Sequence, residues 1–185
     1  MLQHLPREQW ERAILGMLLS TLAILVGVLT ALNPLGEERE AFYPYIGTVF
    51  LVLSLIETIV TFHVFRRRFT FGSKVLFQIL LGVIFIFGGK YLDIPTAILF
   101  FVLYLSFFIF SHIILGIDLY PNKGWGMAIL IGIIGGGLVG FVVLLALRWE
   151  IAEVLSLALG LSAILEGLIL GYLSLGVNRT PAYLR

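Results

Sequence analysis

Apolar residues along this chain do not alternate with polar ones. They come in long runs broken by brief polar stretches. Six runs approach the roughly 20 residues that a helix needs to cross the hydrocarbon core of a bilayer: 13–32, 42–65, 75–92, 94–117, 125–147 and 151–176. Lipid cannot satisfy open backbone N–H and C=O groups, so each run is expected to be a helix. The pattern predicts an all-α, polytopic membrane protein, with residues 1–185 forming one integral membrane domain of six transmembrane helices built as three helical hairpins. Only Asp93-Ile94-Pro95 joins the third run to the fourth, and only Arg148-Trp149-Glu150 joins the fifth to the sixth, so both pairs are expected to be tight antiparallel hairpins. The first run is too long for the apolar core of a signal peptide, and no small-x-small cleavage site follows it, so it reads as a retained helix.

Composition agrees. Of the residues, 60% are hydrophobic and 12% charged, against about 25% charged in soluble domains. Such a surface suits lipid, and nothing in it suits nucleic acid. The absence of cysteine excludes disulfides, thiolate metal sites and cysteine nucleophiles.

Charge placement sets the expected orientation. With six crossings, one side holds Arg7, Arg12, Arg66, Arg67, Arg68, Lys74, Lys123, Arg179 and Arg185, and the other holds Arg39, Lys90 and Arg148. The side rich in Lys and Arg is normally cytoplasmic, which predicts cytoplasmic termini. The opposite side carries Glu37, Glu38, Glu40, Asp93, Glu150 and Glu153. The run Arg66 to Arg68 is a candidate for anionic lipid headgroups as well as a topology signal. Tyr43, Tyr45, Tyr91, Tyr120, Trp125 and Trp149 lie near predicted helix ends, where aromatic residues anchor at the interface.

The stretch IGIIGGGLVG contains G-x-G-x-x-G at Gly135, Gly137 and Gly140. In a dinucleotide site that spacing follows a strand and opens a soluble helix, whereas here it lies inside an apolar run. Gly132, Gly136 and Gly140, four apart, form a small-residue stripe that lets helices approach closely. Gly160, Ala163, Gly167, Gly171 and Ser174 form another in the sixth run. The two stripes are expected to pack together.

A weak internal repeat runs through the chain. Gly27 and Gly88 each stand seven residues before a proline, Pro34 and Pro95, and the even-numbered runs contain LSLIET, LSFFIFSH and LSAILEG, which align Glu57, Ser111 and Glu166. With this hairpin repeat, with GWGMAILIGIIGGGLVG entering the fifth helix and ALGLSAILEGLILGYLSL in the sixth, the chain resembles the HdeD family of small six-helix membrane proteins linked to bacterial acid resistance. The resemblance implies a six-helix fold and a bacterial inner-membrane location, and it brings no catalytic residues with it.

Ionisable groups inside a membrane are costly and mark candidate functional sites. Glu57 and Glu166 are such groups, with His112 near their level. Ser54, Glu57, Thr58 and Thr61 share one helix face, and Ser162 stands four residues before Glu166. The candidate site is therefore a buried polar cluster of Glu57, His112, Glu166, Ser54 and Thr61, binding protons or a small polar ligand or serving as a structural network. No Lys or Arg is expected at the same depth, so both glutamates are expected to be neutral acids. The histidines, His4, His63 and His112, make no metal-binding spacing with one another or with an acid, and no nucleophile motif occurs. No metal, cofactor or enzymatic activity is expected. Two functions remain: a structural or interaction protein that self-associates or joins a larger membrane complex, or a small transporter, channel or proton-responsive protein using the glutamates.

Overall fold

The computed structural model describes residues 7–32, 39–60, 70–120, 124–145 and 151–176. These form six helical segments and no strand: α1 (Arg7–Ala31), α2 (Arg39–Ile59), α3 (Thr70–Val83), α4 (Ile94–Leu119), α5 (Trp125–Leu145) and α6 (Ile151–Gly176). All six segments, α3 together with the turns that extend it, are long and apolar enough to cross a membrane. The protein is an all-α polytopic membrane protein. Thr61, His63, Arg66, Arg67 and Arg68 lie outside the described residues.

Local sequence explains the helix ends. Pro95 falls in the first turn of α4, where a missing N–H leaves no bond unmade. Gly124 turns the chain into α5 with φ 112°, a backbone conformation that costs glycine little, and its carbonyl accepts the Ala128 N–H at 3.0 Å. α3 begins at Thr70, before the expected start at residue 75, so Lys74 belongs to the helix. After Val83 it passes into a π turn at Ile84–Gly88 and a 3-10 turn at Gly89–Tyr91.

The closest helix pairs are α6 with α1, α2 with α3, and α4 with α5. Each pairing uses small residues, because close backbone approach leaves no room for a side chain. A Cβ at Gly27 would lie 2.6 Å from the Gly160 carbonyl oxygen, and one at Gly47 would lie 2.7 Å from that of Gly82. Between α4 and α5, a Cβ at Gly135 would lie 2.9 Å from the Phe108 ring. α3 also touches α4, and α5 touches α6, less extensively. Each even-numbered helix thus packs on the following odd-numbered one, with α6 followed by α1.

This arrangement corrects the expected use of the glycine stripes. Gly167 and Gly171 face α1, where Ser20 Oγ donates to the Gly167 carbonyl at 2.7 Å. Gly132 faces Ile109 and Ile113 of α4, while Gly136 and Gly140 have no atom within 4 Å of a would-be Cβ. The stripes are real, but α6 spends its small residues on α1. The α5 face that packs contains Gly135, which lies off the expected stripe.

Candidate functional site

Three helices converge on one buried cation. Lys74 and Gln78 stand four residues apart on α3, so both side chains leave the same face. Lys74 Nζ lies 2.8 Å from Glu57 Oε1 of α2 and also donates to Glu166 Oε1 of α6. Side-chain exposure is 1% for Lys74 and 4% for each glutamate. Gln78 Nε2 donates to Glu57 Oε1 at 2.7 Å, and the one ammonium holds both carboxyl groups. Lys74 Nζ also sits 4.9 Å from the Phe108 ring centroid on α4, a cation–π distance.

The expectation that the glutamates have no ion-pair partner is therefore overturned. Hydropathy puts Lys74 in a surface connection, because the apolar run starts just after it. The helix in fact starts at Thr70, four residues before Lys74, and the lysine turns into the bundle instead of toward the interface. Burial of a lone charge is costly, and two opposing carboxylates offset that cost here.

The other expected site residues divide. His112 is fully buried, its ring 4.3 Å from that of Phe108, and its Nδ1 lies 2.8 Å from the Phe108 carbonyl oxygen. It therefore shares Phe108 with Lys74 and borders the cluster. Ser54 is buried, but it donates to its own helix, to the Leu51 carbonyl at 2.8 Å. Ser162 donates to the Leu159 carbonyl, which uses its one proton, so Tyr104 donates in the 3.2 Å contact between their hydroxyls. Lys74 and Gln78 are the members that sequence reasoning missed. Lys74 and Gln78 carried a usable signal, two polar side chains at i and i+4 on an otherwise apolar stretch.

Comparisons with protein-family models, with curated proteins and with solved structures find no match for this chain.

Four polar atoms in and beside the cluster have no hydrogen-bond partner among the described residues: Glu57 Oε2, Glu166 Oε2, Gln78 Oε1 and His112 Nε2. An aromatic block lies to one side of the cluster along the helices. Phe42, Tyr43 and Phe50 precede Glu57 on α2; Phe85 follows Lys74 in the π turn; Phe101 and Tyr104 precede His112 on α4. The Phe50 ring lies 4.9 Å from Tyr104 and 5.9 Å from Phe85, and Phe85 lies 5.8 Å from both Tyr43 and Phe101. All six rings are buried. The cluster thus sits toward the α2–α3 connection, and the aromatic block fills the core on the other side. Among the described residues, no group of three or more His, Cys, Asp and Glu is placed to hold a metal ion.

Proposed function

We propose that this chain is a small, non-enzymatic, HdeD-like protein of the bacterial inner membrane that binds and exchanges a proton at the Glu57–Lys74–Glu166 cluster. In this reading both termini and the α2–α3 connection are cytoplasmic. The observation that carries it is the single ammonium between two carboxyl groups inside the bundle. With all three groups ionised, the cluster has a net charge of −1. In a low-dielectric interior that excess is strongly disfavoured, and one proton removes it. Because Glu57 accepts from both Lys74 and Gln78, it is the better-held carboxylate, and the proton resides on Glu166. Its gain or loss changes the link between α3 and α6 from a hydrogen bond of a neutral acid to an ion pair. That change is a physical means of turning acidity into a shift of helix packing, in keeping with a role in acid stress. The aromatic block supports exchange with one face rather than conduction through the bundle.

Infrared spectroscopy of the protein in lipid across pH tests this. A carboxylic-acid carbonyl band at neutral pH, lost in Glu166→Gln and kept in Glu153→Gln, is expected. Carboxylate bands alone at neutral pH would refute it.

A second reading, self-association, is favoured by the uncovered Gly136, Gly137 and Gly140 face of α5. Native mass measurement in mild detergent checks it: an oligomer lost in Gly136→Leu supports it, and a monomeric wild type excludes it.

A further inference from the structure

The unpartnered atoms of the cluster are all acceptors. Glu57 Oε2 and Glu166 Oε2 are carboxyl oxygens. Gln78 Oε1 is an amide oxygen, fixed as such because the amide nitrogen donates to Glu57. Beside the cluster, His112 Nε2 is an acceptor as well, since Nδ1 carries the proton toward the Phe108 carbonyl. This set is deficient in donors, and the same cluster is one positive charge short. A proton supplies both at a single oxygen, which leaves the other acceptors unmet.

We infer that the Glu57–Lys74–Glu166 cluster binds a monovalent metal cation of sodium type in exchange for its proton, with Glu57 Oε2, Glu166 Oε2 and Gln78 Oε1 as ligands and water completing the shell. Hard oxygen donors of this kind suit alkali and alkaline-earth ions rather than transition metals. Charge then selects between those two groups. Lys74 cancels one carboxylate, so the site can neutralise a single positive charge, and a divalent ion would leave an excess of one. The exchange balances: the proton leaves Glu166 for water, one cation enters, and the buried cluster stays neutral in both states. Lys74 acts as a fixed counter-charge that sets ion valence. His112 contacts the cluster only through Phe108 and is not a ligand. This inference rests on the proton-binding reading and adds a competing ligand to it.

The groups that face the site are Lys74 and Gln78 from α3, Glu57 from α2, Tyr104, Phe108 and His112 from α4, and Ser162 and Glu166 from α6. Of these, Glu166 gives up its proton to the cation. The experiment uses purified protein in a weakly buffered, choline-balanced medium of constant ionic strength, with sodium chloride as the probe and a pH indicator as the readout. Adding sodium should release one proton per chain. The apparent sodium affinity should fall about tenfold for each unit of added acidity where the proton dominates, because two ligands competing for one site must affect each other equally. Calcium should not substitute. Glu166→Gln should release no proton. Gln78→Met, which keeps the acid and removes one oxygen ligand, should keep the infrared acid band while sodium affinity falls at least tenfold. An acid band with no proton release on sodium addition would overturn the cation inference and leave proton binding standing. Absence of the acid band would overturn both. Proton release that persists in Gln78→Met with unchanged affinity would also overturn the proposed ligand set.

Discussion

At the scale of single residues, the decisive group is Lys74. Removing it as Lys74→Met leaves two neighbouring carboxyl groups without a cation, and both must then be protonated to stay buried. The folded variant would hold protons that the unfolded chain releases at neutral pH, so its stability should fall as pH rises. Breaking a buried pair by deleting one partner costs about 3–5 kcal/mol, and that cost should appear near pH 8 and shrink toward pH 5. Thermal melts in detergent at the two values check this; a loss that does not vary with pH would count against the charge argument. Glu166→Gln leaves Lys74 with Glu57, a neutral pair, and its melting temperature should change little with pH. The sequence made half of this site legible. Glu57 and Glu166 stand out because each interrupts an apolar run. Lys74 did not, because hydropathy places it just before a run, where a lysine normally reports orientation. Only a helical face drawn through Lys74 and Gln78 would have turned it inward.

At the scale of helices, number and type followed from run length, and α6 (Ile151–Gly176) coincides with its run. Partner choice did not follow, because a small-residue stripe states that a helix can approach another closely without saying which one. Only three-dimensional contacts resolve that ambiguity: Gly160 meets α1, and Gly136 meets nothing within 4 Å. The repeat was the better guide, since Glu57 and Glu166, two of its three aligned positions, meet at Lys74, and Ser111 adjoins His112 beside them. Gly27→Leu and Gly160→Leu should each lower stability, by about 1–3 kcal/mol if the helices can part slightly and by more if they cannot. Gly136→Leu should leave the melting temperature of the monomer unchanged. Equal effects of Gly27→Leu and Gly136→Leu in a detergent melt would contradict the observed pairing.

At the scale of the whole molecule, the aromatic block and the ionic cluster divide the core into a dry half and a charged half. Phe50→Ala removes a ring that contacts Phe85, Phe101 and Tyr104. It should cost about 3–5 kcal/mol, as large core truncations do. If the block also seals the cluster, vesicles containing this variant should lose an imposed pH gradient faster than vesicles containing the wild type, as read by an internal pH dye. Equal decay would separate the packing role of the ring from any barrier role. The pairing of α6 with α1 has a further effect during synthesis. The bond from Ser20 to Gly167 spans 147 residues, and at about 5–20 residues per second the ribosome needs roughly 7–30 s to make that interval. α1 reaches the membrane ahead of the helix that covers its small-residue face by about that time. Of the six described helices, the earliest made therefore waits longest for its partner, and nascent chains that stop before α6 should present Ser20 and Gly27 to whatever membrane chaperone or protease surveys unassembled helices.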